Sequence, residues 1–172
     1  MVSKPVEVAR QLLERFGEQP PIDVEAIIEA LGIAIRSQEL EDSVSGMLVI
    51  KDARTTIGVN ESHHQNRQRF TLAHELGHFL LHSNTSSIFI DASIIFFRDG
   101  ASSDGSKAQE IEANAFAAEL LMPEKQLREI INNQPLDAFD EGAVRRLAAQ
   151  FGVSSQALTI RLTRLGLING IA

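Results

Sequence analysis

An α+β fold is predicted for this chain, with a small antiparallel or mixed sheet followed by two long helices and a helical C-terminal extension. Three observations predict it. Strand-like alternating runs gather between positions 33 and 59; residues 69–82 and 109–123 have the length and apolar content of buried helices; and beyond residue 124, cap residues and glycines mark off short helices. At 172 residues, one principal domain over about 1–123 is expected, with residues 124–172 as a helix-turn-helix-like extension packed on it. An apolar fraction of 44% suffices for a core. No window nears the ~18 consecutive apolar residues of a membrane helix, and Met1-Val-Ser-Lys-Pro-Val-Glu7 is not a secretion signal. With no cysteine there is no disulfide framework, so a cytoplasmic protein is expected. A net charge of −7 speaks against a nucleic-acid footprint over the whole molecule.

Residues 5–16 read as a helix. Pro5 sits in the first turn, where its missing N–H is harmless, and Gly17 follows the last turn. After Pro20-Pro21, Asp23 can cap a helix from Val24 to Leu31 that Gly32 stops. Ile33-Ala-Ile-Arg36 alternates as a strand does. Gly46 to Ile50 and Thr55 to Val59 are strand-like too, joined by the turn Lys51-Asp-Ala-Arg54.

The next helix carries the chemistry. Its sequence is Arg69-Phe-Thr-Leu-Ala-His74-Glu75-Leu-Gly-His78-Phe-Leu-Leu-His82. His74 and His78 are four apart, which on a helix puts their Cβ atoms about 5–6 Å apart on one face. Two imidazoles so placed can share one small cation, and Zn²⁺ is the usual one. Glu75 leaves the helix to one side of the rings, poorly placed to ligate but able to take a proton from a water beside the cation. This is the His-Glu-x-x-His arrangement of zinc peptidases, with Glu75 as general base. All five histidines (63, 64, 74, 78 and 82) lie within twenty residues. Two buried imidazoles without partners would be costly, which weighs against ordinary core histidines. A small sheet ahead of such a helix is the zincin layout, and an edge strand could receive an extended substrate by strand addition.

Between the helices, Ile88-Phe-Ile-Asp-Ala-Ser-Ile-Ile-Phe-Phe97 is strongly apolar and Asp99 to Ser106 has loop composition. It reads equally as a strand with its connection or as a lid over the cleft.

A catalytic zinc needs a third protein ligand. The metzincin extension would require glycine at 81 and histidine at 84; Leu81 and Asn84 stand there, and there is no cysteine. A carboxylate on the second helix remains. Glu110 and Asn114 are i,i+4, so Glu110 can bind the metal while Asn114 hydrogen-bonds the outer nitrogen of a ligand histidine. Glu112 points about 200° away from Glu110 and is the alternative ligand.

The run 69–82, followed by Glu110-x-Glu-Ala-Asn-x-Phe-Ala-Ala-Glu-Leu-Leu-Met-Pro123, resembles the ImmA/IrrE family of bacterial and phage metallo-endopeptidases. The likeness is dense over 69–82 and 110–123 and looser through Gly46 to Ile50 and Ile57 to Asn60. It implies a zincin-like, gluzincin-type site of His74, His78 and a glutamate from the second helix, with Glu75 as base. It also implies a cytoplasmic helix-turn-helix repressor as substrate, releasing mobile-element or stress genes, and low activity of the purified protein until a trigger acts.

The chain has no tyrosine and no tryptophan. An oxyanion donor must therefore be a histidine (63, 64 or 82), an arginine (67, 69 or 98), a backbone N–H or the metal alone. His82 is one turn beyond His78, either a group behind the metal site or a helix-end histidine favoured by the C-terminal dipole; the second is favoured.

Past Met122-Pro123, Glu124 to Ile131 is a short helix, broken by Asn132-Asn-Gln-Pro135. Asp140 can cap a helix through Phe151, and Ser154 a last one to about Leu165 after the Gly152-Val turn. Residues 143–172 hold Arg145, Arg146, Arg161 and Arg164 and no acid, so of 16 basic residues the remaining 12 face 23 acids, −11 elsewhere. Helix, turn and helix with basic excess resemble a DNA reader. Four arginines are a thin footprint, however, and a cap or substrate-docking arm is favoured, so direct nucleic-acid binding is not expected. The competing class is a DNA-binding regulator or metal sensor with a structural zinc.

Overall fold

The computed structural model describes residues 2–52, 54–83, 88–91, 104–134, 136–137 and 140–168, with backbone alone for 88–91 and 104–106. Helix α1 (Lys4–Phe16) buries Pro5, Ala9, Leu12 and Leu13, an i, i+4, i+7, i+8 stripe. Helix α2 (Val24–Ala30) is capped by Asp23, whose carboxylate accepts from the Ala26 N–H at 3.0 Å.

Strands β1 (Ala34–Gln38), β2 (Gly46–Lys51), β3 (Arg54–Asn60) and β4 (Ile88–Asp91) form a sheet in the order β1-β3-β2-β4. Strand β1 runs parallel to β3, and the β2 pairings with β3 and β4 are antiparallel, so the sheet is mixed. β1 is shifted one residue from the sequence reading and extends to Gln38. The start of the apolar 88–97 segment is the edge strand β4, paired Gly46 to Asp91 through Val49 to Ile88. The rest of that segment, and Arg98, lie outside the described residues.

Helix α3 (Gln65–His82) crosses β2 and β3, and helix α4 (Asp104–Leu121) lies against α3 and α1. From Phe70 to His78 every residue of α3 is buried, the polar Thr71, His74, Glu75 and His78 included. Loop composition through Ser106 is misleading, because α4 begins at Asp104. Asp, Gly and Ser open helices as readily as they form loops, and an acid in the first turn suits the helix dipole.

Helices α5 (Glu124–Asn133), α6 (Glu141–Phe151) and α7 (Ser155–Arg164) complete the chain. Asp140 and Ser154 cap α6 and α7 at 3.0 and 3.1 Å, and Gly152 takes the left-handed conformation (φ 63°) that ends α6. Leu127, Leu147, Phe151, Val153, Leu158 and Leu162 join Phe70, Phe116 and Leu121 in one continuous core.

Candidate metal centre

Two glycines shape the site. Gly77, between the histidines on α3, lies so close to α4 that a Cβ there would stand 3.0 Å from Phe116 Cδ1 and 3.2 Å from the Ala113 Cα. The missing side chain lets the helix backbones approach and brings the start of α4 over the histidine face. A glycine inside a helical run costs about 1 kcal/mol against alanine, and that cost is a signal of close packing available in the sequence. Gly46 opens β2 under Glu75. A Cβ there would meet Thr71 Cγ2 at 2.3 Å, the Gly58 carbonyl at 2.9 Å and Glu75 Oε1 at 3.5 Å.

On this frame three donors converge. His74 Nε2 and His78 Nε2 are 3.0 Å apart, Glu110 Oε1 lies 3.0 Å from His78 Nε2, and Glu110 Oε2 lies 3.2 Å from His74 Nε2. A tetrahedral ion with bonds of ~2.0–2.1 Å holds its ligands about 3.3–3.4 Å apart, so the donor spacing fits such a cation. The donor chemistry fits as well. Asn114 Oδ1 lies 3.1 Å from His74 Nδ1 and can only accept, so Nδ1 carries the proton and Nε2 turns a lone pair toward the cluster. Among the described residues, His74, His78 and Glu110 are the group of metal-ligating type this close together. Both histidines are buried, whereas the Glu110 side chain is 47% exposed. Burial would raise the Glu110 pKa, but hydrogen bonds and charge from His74 and His78 outweigh it and hold the carboxylate well below its usual range. Glu75 is fully buried beside them.

Glu112 does not join this cluster. Its Oε2 lies instead 3.5 Å from His82 Nε2, an ion pair only when that imidazole is protonated. His82 ends α3, as expected of a helix-end histidine, but the ring is buried, and burial together with the neighbouring His78 pushes its pKa down, against Glu112.

The other candidate donors are engaged elsewhere. Arg69 donates to the carbonyls of Ile22 (2.7 Å) and Gly152 (3.2 Å), tying α3 to the α6–α7 turn. His64 caps α3 through Nδ1, and His63 Nε2 lies 3.3 Å from the Asp42 carbonyl. Arg67 donates to Ser45 Oγ at 2.8 Å. Asn60, given no role of its own in the sequence reading, is fully buried and holds the 40–44 loop by donating to the carbonyls of Leu40, Glu41 and Val44. Glu119 is also a surprise. It is buried on α4 between Arg10 of α1, at 2.7 Å, and Arg161 of α7, which also donates to the Met122 carbonyl. A lone carboxylate in the apolar run Ala-Phe-Ala-Ala-Glu-Leu-Leu-Met was its trace in the sequence.

Among known proteins, the profile of the IrrE N-terminal-like domain, a peptidase family, matches residues 28–163. The chain belongs to this family. It is 26% identical over 115 residues to uncharacterized immunity region protein 2 of Bacillus phage phi105, covering 67% of this chain and 66% of that one. It is 28% identical over 110 residues to metallopeptidase ImmA of Bacillus subtilis (strain 168), covering 64% of this chain and 56% of that protein. A solved Mycobacterium tuberculosis transcriptional regulator superposes with a TM-score of 0.64 at 18% identity, over 94% of this chain and 47% of its own, a likeness of fold. The chain thus spans about two thirds or less of the length of these relatives.

Proposed function

We propose that this chain is a zinc-dependent endopeptidase of zincin-like, gluzincin type, and that its substrate is a cytoplasmic helix-turn-helix repressor. The observation that carries the enzymatic reading is the convergence of two imidazole nitrogens and a carboxylate within 3.2 Å, beside a fully buried glutamate. Family membership and the relative named metallopeptidase ImmA support the same chemistry. The repressor follows from the resemblance carried by residues 69–82 and 110–123.

When bound, zinc supplies Lewis acidity that polarises the scissile carbonyl and makes a water acidic enough to deprotonate near neutral pH. His74, His78 and Glu110 would hold the ion, and Asn114 would keep the His74 tautomer and ring orientation. Glu75 takes the proton of the attacking water and returns it to the leaving amine, so the peptide bond breaks without net loss of a proton.

The DNA-reader alternative loses one of its four arginines, because Arg161 is spent on Glu119 inside the fold. Coexpression of this chain with any helix-turn-helix repressor found encoded beside its gene tests the proposal, in cells so that any trigger is present. Fragments of that protein are expected with the native chain and none with His78→Ala. Zinc-free purified protein together with an intact partner would overturn it.

A further inference from the structure

Among the described residues, two large apolar side chains are more exposed than buried, Val2 at 53% and Ile111 at 60%. Val2 precedes α1, outside any helix or strand, but Ile111 stands on α4. Its neighbours in sequence are Glu110 and Glu112, whose side chains are each 47% exposed. The early turns of α4 therefore hold out an apolar knob between two carboxylates. One exposed apolar side chain is ordinary on a protein surface. A recess of matching size and opposite charge on the same molecule gives this one a partner.

That recess lies between α5 and α6. The two helices are joined by the short 134–140 connection, yet a cleft of about 190 Å³ stays open between them. Its walls are Ile130 and Ile131 of α5, Leu136 of the connection and Leu147 of α6, with the exposed Arg146 and Gln150 at the rim. Ile130, Ile131 and Leu136 are only partly buried, so apolar surface is left open there. The volume falls below the ~300–1,000 Å³ of small-molecule pockets and suits a single branched side chain. The Arg146 side chain is 74% exposed. Asp140 approaches it only to 4.0 Å and is already engaged in capping α6, so the guanidinium is open to a further carboxylate.

Helix α4 and the α5–α6 pair share one continuous core, so the knob cannot reach the cleft of its own chain. We propose that it docks in the cleft of a second copy: Ile111 enters between α5 and α6, and Glu112 pairs with Arg146 at the rim. The charges favour this partner, since Arg146 belongs to the +4 of residues 143–172 and the knob to the remainder that carries −11. Two unlike patches joined in this way make a head-to-tail contact. One side chain and its rim bury far less than the ~1,200 Å² of a standard interface, so the association is weak and concentration-dependent. A copy seated there lies against the half-exposed Glu110 beside Ile111. The docking itself does not depend on the peptidase reading.

Sedimentation equilibrium of the full chain at physiological salt, from about 10 µM to about 1 mM, tests this. The average mass is expected to rise with concentration. Ile111→Ser removes the knob and Arg146→Glu sets like charges against each other, so each should weaken association by about tenfold or more. An equal mixture of these two variants should pair again, because one keeps the cleft and the other keeps the knob. A general defect of folding would not give that rescue. Arg145→Glu, on α6 but outside the cleft, should stay within about twofold of native. A native chain that remains monomeric to about 1 mM, or variants that associate as the native chain does, would overturn the proposal. So would a mixture without rescue, or an Arg145→Glu loss equal to that of Arg146→Glu.

Discussion

Glu75 lies between the paired histidines on α3 and Glu110 meets them from α4, and the fold gives the two carboxylates opposite surroundings. Glu75 is sealed in the core over Gly46, whereas Glu110 reaches the histidines from a half-exposed turn. Their substitutions should separate accordingly. Glu75→Gln keeps shape and hydrogen bonding but removes the base, so zinc content by metal analysis should remain native while repressor cleavage falls by roughly 10²–10⁴-fold. Near-native cleavage by that variant would end the general-base mechanism. Glu110→Ala should strip zinc far more than Glu112→Ala, since Glu110 and not Glu112 stands among the donors. Metal analysis showing the reverse order would make Glu112 the ligand.

Close approach between elements at Gly46 and Gly77 sets the depth of the site. Gly46→Ala would drive a methyl group into Thr71 Cγ2 and the Gly58 carbonyl, at 2.3 and 2.9 Å. Overpacking of this kind costs about 1–3 kcal/mol, read as a lowered urea midpoint with unchanged m-value. Adding Thr71→Ser removes the nearer obstacle and should recover part of that loss; no recovery would mean that strand β3, not α3, is the wall. At Gly77 the helices themselves are in contact, so Gly77→Leu should part α3 from α4 and lose zinc affinity as well as stability. Gly77→Leu protein with native zinc affinity would show that helix separation does not position Glu110.

Across the whole molecule, Glu119 and Arg69 bind the C-terminal helices to both metal-bearing helices. Glu119→Ala would leave Arg161 buried and unpaired, and breaking such a pair costs about 3–5 kcal/mol, measurable by denaturant titration. Arg145→Glu on the exposed face of α6 should shift stability by no more than about 0.5 kcal/mol. Duplex DNA should give no mobility shift at physiological salt, because the −11 carried outside residues 143–172 repels the same backbone that the arginines attract. A shift that weakens steeply between two salt concentrations would instead identify a phosphate-binding surface.

Local signals were enough to read much of this protein from its residues. Helical spacing put His74, Glu75 and His78 on one helix, i,i+4 spacing joined Glu110 to Asn114, and cap residues Asp23, Asp140 and Ser154 marked helices whose starts the structure bears out. Each of these depends on residues within about four positions of one another, where chain geometry alone sets distance. What depended on contacts across the chain was not legible. The order of the sheet, β4 as its edge, the approach of Glu112 to His82, and the burial of Arg161 against Glu119 each join residues that spacing cannot relate. A charged side chain on an amphipathic helix reads as solvent-facing until a partner helix covers it, and only the packed structure shows which helix does.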